Sequence, residues 1–400
     1  MAEAIAGDDG YIRLREFSDG RPSGLPRTAS GAELKLLKKL FTPEEAEVAM
    51  RLRLFPEPAR VIARRCGMDE GEAAEMLESM ARKGLALRVR GGRERFYLAL
   101  HFVVGIYEFH VGEIDAEMAE LMEEIFEAEE RSPLFRKTAV GQFRVVPVHS
   151  AVEAAPSIAS YDRVRELVSG YEDFAVMPCI CRLEKGLLGE ACERPHETCL
   201  TFGIGAQTMV DNGVARRIDL HEALRILDQA EEAALVLQPS NSRDITNICC
   251  CCSCCCGILR LLKMEKRPAD HVQSPCHARV DPALCSSCGS CLERCQMDAL
   301  VEKKEAMEVD LARCIGCGLC VATCPEGAIG MVARQGVRKP PAHYFHNLTT
   351  VARERGLSFG NLSPVMRVTR LPLFLKVLPY LYKTGLVTPL VDQLAKRGWV

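Results

Sequence analysis

The sharpest pattern of polar and apolar positions begins at Thr42. Thr42-Pro43-Glu44-Glu45 reads as a helix start, with Thr as N-cap, Pro at the first helical position and acids in the first turn. The helix runs to about Phe55. A second spans Ala59 to Cys66 and stops at Gly67; a third is capped by Asp69 and runs to Lys83, with Gly84 beyond it. Two short strands follow, Leu85–Arg90 and Arg93–Leu100, joined at Gly91-Gly92. Further on, Phe102–Phe109 reads as strand or extended core and Phe143–Val148 as a strand. Asp115–Glu130 reads as an amphipathic helix with Met118, Leu121, Met122, Ile125 and Phe126 on one face. Leu220–Val236 is a helix opened by a capping-box pair, Asp219 and Glu222. Residues 1–30 show little periodicity and read as a loose leader.

Three helices and a hairpin in that order resemble a winged helix, expected over residues 31–112. A winged helix suggests DNA, but its third helix carries Asp69, Glu70, Glu72, Glu75 and Glu78 against only Arg82 and Lys83. A helix in the major groove lies between two rows of phosphates, which would repel five acids. The wing is basic, with Arg88, Arg90, Arg93 and Arg95. On balance this region is expected to dock protein or serve structure, and nucleic acid is not the expected partner.

Charge agrees. Lys+Arg is 51 and Asp+Glu 54 in 400 residues, a net charge of −3, which does not suit a chain built to coat nucleic acid. Apolar residues make up 48%, enough for a sizeable core in a chain long enough for several domains. The first residues show no basic stretch followed by an apolar one, and no uncharged apolar run reaches 18 residues. A cytoplasmic protein is therefore expected.

What changes the picture is 21 cysteines. Cys66 stands alone in the first 178 residues, and the other twenty fall between Cys179 and Cys324. In a reducing cytoplasm such clustering reads as metal ligation rather than disulfides. The clearest motif lies in residues 277–340. Cys285-x2-Cys288-x2-Cys291-x3-Cys295 is repeated as Cys314-x2-Cys317-x2-Cys320-x3-Cys324-Pro325 at a constant offset of 29 residues. The offset also maps Asp281 on Asp310, Gly289 on Gly318 and Ala299 on Ala328, so the segment is an internal duplication. Paired zinc sites would satisfy the same count of eight ligands. The duplicated four-cysteine run with its terminal proline favours iron–sulfur, and it closely resembles the bacterial two-cluster ferredoxin. That resemblance implies two [4Fe–4S] clusters with crossed ligation: Cys285, Cys288, Cys291 and Cys324 hold the first, and Cys314, Cys317, Cys320 and Cys295 the second. The first motif departs from the pattern by ending Cys295-Gln296 instead of Cys-Pro, which puts the local turn in question.

Residues 179–276 form a second cysteine-rich region. Cys179, Cys181, Cys192 and Cys199 make C-x-C-x10-C-x6-C, with Arg182 to offset charge and His196 as a polar neighbour. They are expected to hold a third metal site, iron–sulfur ahead of zinc. Then Cys249, Cys250, Cys251, Cys252, Cys254, Cys255 and Cys256 put seven cysteines in eight positions. Neighbouring side chains cannot all face one cluster, so a subset is expected to ligate, with Cys276 as a further candidate. Residues 113–178 read as a mixed connecting region without chemistry of its own.

After Pro340 the chain becomes basic. From Arg353 to Val400 there are eight Lys/Arg and two Asp/Glu, and the apolar stretch Leu371–Val391 is interrupted by Lys376, Lys383, Pro372, Pro379 and Pro389. A helical surface or docking tail at 341–400, touching an anionic membrane or an acidic partner, fits better than a spanning helix. No phosphate-binding loop, dinucleotide fingerprint or Ser–His–Asp set is visible. The expected fold is multidomain α+β: a winged-helix-like domain, a mixed cysteine-rich region, a two-cluster ferredoxin fold and the tail. The expected function is single-electron transfer between redox partner proteins of anaerobic metabolism. The alternatives are an oxidoreductase acting at an unusual cluster in 179–276, and a redox-sensing winged-helix regulator.

Overall fold

Capping chemistry places the elements from Thr42 onward where the sequence puts them. The Thr42 hydroxyl accepts from the Glu45 N–H (3.2 Å), and the Glu45 carboxylate accepts from the Thr42 N–H (3.0 Å), closing a box around the start of helix Pro43–Arg51. Helix Ala59–Cys66 stops at Gly67, which takes a left-handed φ of 66°. Asp69 caps helix Glu70–Arg82 by accepting from Gly71 and Glu72. Gly84 is obligatory: its φ is 73°, and a Cβ there would stand 2.4 Å from Phe109 Cβ. The hairpin strands Ala86–Gly91 and Glu94–Ala99 pair antiparallel, and the short strand Glu57–Pro58 adds to Glu94–Ala99 as a third.

The computed structural model describes residues 9–354 apart from 22, 55, 92–93, 129–140, 154–158 and 160–161. The chain divides into two units, Met1–Thr138 with Leu348–Val400, and Ala139–Asn347. The basic tail lies outside the described residues from 355 onward, including all of Leu371–Val391. Among the described residues no helix is long and apolar enough to cross a membrane.

In the first unit, three expectations change. The helix expected to run to about Phe55 ends at Arg51, because the chain turns extended at Leu52. Asp9–Asp19 is a helix, not a loose leader; Tyr11 and Leu14 are buried, and the Tyr11 hydroxyl donates to the Phe41 carbonyl (2.9 Å). Phe102–Phe109 is core but not a strand. Val103 and Val104 are extended, and the chain then turns helical at Tyr107–Phe109, where the Glu108 carboxylate accepts from the Gly105 N–H (2.6 Å). The helix expected from Asp115 is Ala116–Phe126, with Asp115 accepting from the Met118 N–H and the five predicted apolar residues buried.

The second unit is built on a five-stranded sheet in the order Arg216–Ile218, Phe174–Pro178, Glu197–Phe202, Asn247–Cys251, Val236–Pro239, with every neighbour antiparallel. Helix Leu220–Glu232 buries Ala223, Ile226, Leu227 and Ala230, and Asp219 caps it by accepting from the Glu222 N–H (2.7 Å). Phe143–Val148 forms no regular strand. It stitches two regions together: the Val146 N–H donates to Leu237, the Val145 N–H to Gln273 and the Val148 N–H to Cys317. The cysteine-rich region and the duplicated motif, separate in the sequence reading, thus share one unit. Helices beside antiparallel sheets give mixed α and β structure throughout, in keeping with the α+β class.

Candidate metal centres

The duplication is visible atom by atom. Strand Cys276–Val280 pairs with Ile329–Ala333, and Leu300–Glu302 pairs with Met307–Val309. Asp281 accepts from the Ala283 N–H (3.0 Å) as Asp310 accepts from the Ala312 N–H (2.8 Å). The halves interlock: the Asp281 N–H donates to the Ala328 carbonyl (2.7 Å), and the Asp310 N–H donates to the Ala299 carbonyl (2.8 Å). Ser287 (φ 53°) and Gly316 (φ 74°) occupy the same left-handed position of the two loops. The second loop requires glycine, because a Cβ at 316 would lie 2.1 Å from the Cys276 carbonyl oxygen.

This interlocking crosses the cysteines. Cys285, Cys288 and Cys291 line one cavity together with Cys324 of the other half, beside Met307 and Ile329. Cys314, Cys317 and Cys320 line a second cavity with Cys295 of the first half, beside Met297 and Leu319. Backbone N–H groups already point at sulfur: Ala299 to Cys295 (3.2 Å), Ala328 to Cys324 (3.2 Å) and Met307 to Cys285 (3.5 Å). Four thiols per cavity with N–H···S donors are the donor set a [4Fe–4S] cluster takes, so the residues fit the group. The cavities differ in exposure. Cys288 is exposed, and the Ser290 hydroxyl holds its thiol below the usual range. Burial pushes Cys317 and Cys320 up.

Gln296, the departure from Cys-Pro, has a task that proline could not perform. It is buried, and its side-chain oxygen accepts from the backbone N–H of Ser253 (2.8 Å), inside the seven-cysteine run. The same seam is closed by Arg294, which donates to the Glu231 and Glu232 carbonyls, and by Arg313, which donates to the Lys263, Glu265 and Met297 carbonyls.

The seven-cysteine run divides by backbone geometry. Cys249 and Cys251 share one face of strand Asn247–Cys251, and the pleat sends Cys250 to the other. Cys199 lies directly opposite Cys249 on the neighbouring strand. Cys179 and Cys256 are the N-cap residues of helices Ile180–Leu187 and Gly257–Met264, and Cys181 sits in the first turn of the former. The result is a ring of six neighbouring thiols, each interacting electrostatically with the next, in the order Cys179, Cys181, Cys256, Cys251, Cys249, Cys199. Six packed thiols cannot all ionise, and they alternate. Cys179, Cys249 and Cys256 are held low by the neighbouring thiols on either side, Cys249 to about 5. Cys181, Cys199 and Cys251, which lie between them, are pushed up. Arg182, 1% exposed, stands beside them. Burial works against its charge, and the thiols Cys179, Cys252, Cys251 and Cys199 more than restore it. Its Nη1 donates to Thr198 Oγ1 (2.7 Å) and its Nη2 to the Cys250 carbonyl (2.9 Å), while Nε is buried without a hydrogen-bond partner. Packed thiols beside a buried cation with a spare donor suit an anionic thiolate-held cluster.

The expected quartet Cys179, Cys181, Cys192 and Cys199 is therefore not brought together. Three of its members join Cys249, Cys251 and Cys256, because the antiparallel pairing of Cys199 with Cys249 carries that face of the run to them. Cys192 lies in the loop between helix and strand and meets Cys252, Cys254 and Cys255, with all four sulfurs within 4.8 Å of one another. Cys276 joins neither group: its thiol donates to the Gly316 carbonyl (3.6 Å), and burial pushes it up to about 12. Cys250, on the other face of the strand, is raised by burial. His196 is exposed; its carbonyl accepts from the Cys179 N–H (2.8 Å).

Comparison with known proteins adds one assignment. No curated protein and no solved structure matches the chain. A family model, the 4Fe-4S dicluster domain, matches residues 278–331, the stretch that holds both interlocked cavities, and with the cysteine groups it supports iron–sulfur binding and an electron-transfer role for this part of the chain.

Proposed function

We propose that the chain is a multi-cluster iron–sulfur protein passing single electrons between redox partner proteins in a reducing, anaerobic cytoplasm. One observation carries the proposal: two four-cysteine cavities, each completed by a cysteine of the opposite half, within a single interlocked duplication. When bound there, a [4Fe–4S] cluster supplies reversible one-electron chemistry. The residues do the rest. Cys285, Cys288, Cys291 and Cys324 hold the group nearer the surface, with exposed Leu284 before the loop and Leu292 in the helix Ser290–Arg294 after it for a partner to cover. Cys314, Cys317, Cys320 and Cys295 hold the more deeply buried one. Gln296 then ties the Cys295 turn to the cysteine run, so the six-thiol ring, the site for a third iron–sulfur group, is fixed relative to the ferredoxin-like part.

A second reading has its own observation. The ring offers six thiols where a cubane takes four, which suits an unusual cluster rather than an ordinary four-cysteine cubane, the kind of centre at which an oxidoreductase would reduce a small substrate. The regulator reading fares worse. The order helix, strand, helix, helix, hairpin in the first unit supports a winged-helix fold, but Glu78 of the third helix pairs with Arg88 and with Arg95 (2.8 Å), and Glu94 pairs with Arg60. Those arginines are committed to carboxylates, so a protein-docking role is preferred to phosphate binding. Protein-film voltammetry on the full chain tests the proposal. Reversible one-electron waves without catalytic current are expected. Absence of any wave from anaerobic protein would overturn the carrier, and a catalytic current with an added small substrate would favour the second reading.

A further inference from the structure

The group Cys192, Cys252, Cys254 and Cys255 differs in kind from the other cysteine sites. Its four sulfurs all lie within 4.8 Å of one another, and Cys254 and Cys255 are 3.7 Å apart. A tetrahedral ion with Zn–S bonds of about 2.3 Å sets its thiolates about 3.8 Å apart. A cubane places each thiolate on a different iron, which spreads the sulfurs. The eight ferredoxin-type cysteines, all described, form no group this tight; among the described residues Cys192, Cys252, Cys254 and Cys255 do.

Local backbone explains the convergence. The Cys256 N–H donates to the Cys252 carbonyl (3.0 Å), so Cys252-Ser253-Cys254-Cys255 closes a single turn. That turn brings three sulfurs from four consecutive residues to one side, a spacing too tight for three corners of a cubane. The loop carrying Cys192 supplies the fourth. Cys252 and Cys255 are buried, whereas Cys254 is exposed and gives an ion a way in. Four thiolates on a divalent ion leave two negative charges, and Arg194 Nη1 donates to Cys254 Sγ (3.2 Å).

We propose that these four cysteines form a closed site for one tetrahedral divalent ion of the zinc class, separate from every iron–sulfur group. The ion staples the loop around Cys192 to the turn that Gln296 holds through Ser253. A redox-inert metal suits that turn, whose partner Gln296 adjoins Cys295, because it fixes the seam without trapping electrons.

The test uses the full chain, purified without oxygen. Metal analysis should find about one zinc per chain in addition to iron, with four sulfur neighbours at about 2.3 Å by X-ray absorption. Cys254→Ser should weaken zinc retention against a chromophoric chelator at least about tenfold and leave iron content unchanged. Cys192→His should keep the zinc, because imidazole is an acceptable tetrahedral ligand, and should show three sulfurs and one nitrogen. The proposal is overturned if no zinc is present, if zinc is unaffected by Cys254→Ser, or if that variant instead loses about four irons per chain, which would make the site a cluster.

Discussion

Gly316→Ala isolates how the second cysteine loop is built. At φ 74° an added Cβ would lie 2.1 Å from the Cys276 carbonyl oxygen and 2.3 Å from Ser274 Oγ. The hydroxyl can rotate away. The carbonyl cannot easily follow, because it belongs to strand Cys276–Val280, which is paired along its length with Ile329–Ala333. A left-handed conformation costs a non-glycine residue about 1–3 kcal/mol, and overpacking adds about 1–3 kcal/mol, for a total of about 2–6 kcal/mol. The duplication supplies its own control. Ser287, at the equivalent position, is half-buried and already carries a Cβ at φ 53°, so Ser287→Ala should change stability by less than about 0.5 kcal/mol. Anaerobic urea titration of both variants, followed by circular dichroism and by cluster absorbance, measures the difference. Equal midpoints for Gly316→Ala and Ser287→Ala would refute the argument that the second loop is pressed against the Cys276 backbone.

Other consequences follow from named contacts. Cys324→Ser should damage the cluster of the first loop, and Cys295→Ser that of the second, each read by EPR; damage confined to the variant's own motif would disprove the crossing. Gln296→Leu removes the acceptor of the Ser253 N–H and should cost about 1–3 kcal/mol, seen as a lower urea midpoint with both ferredoxin signals intact; an unchanged midpoint would mean the seam does not depend on it. Cys199→Ser and Cys249→Ser should each remove the same iron–sulfur signal, since the two face each other across paired strands, while Cys250→Ser should leave it; loss with Cys250→Ser alone would invert the assignment of strand faces. Removing residues 365–400 should leave iron content unchanged and abolish salt-sensitive binding to anionic vesicles; retained binding would place the contact elsewhere.

Local signals were readable in the chain, and long-range ones were not. Caps at Thr42, Asp69, Asp115 and Asp219 act within one turn, so sequence alone locates them. The ferredoxin repeat was readable because a constant offset of 29 residues carries turn, ligand and N–H donor together. The grouping of the upstream cysteines was hidden. It depends on Cys199 pairing with Cys249, a register set by a five-stranded sheet whose order does not follow the chain. Spacing suggested Cys192 with Cys179 and Cys181, whereas tertiary folding sends it to the 252–255 turn. The period-2 rule applied to Ile248–Cys252 would have separated Cys250 from Cys249 and Cys251. The departure at Gln296 was visible, but its partner lies 43 residues away. The helix Asp9–Asp19 carries a weak signal in the sequence because its apolar anchors are few, chiefly Tyr11 and Leu14.

Iron, acid-labile sulfide and zinc counted on the same anaerobic full-length sample, with EPR of the reduced form, test the central claim most directly. More than eight irons per chain are expected, about twelve if the six-thiol ring holds one cubane, with two interacting [4Fe–4S] signals from the ferredoxin-like part. A sample with full zinc occupancy at the eight ferredoxin-type cysteines, and no reducible iron–sulfur signal, would contradict it.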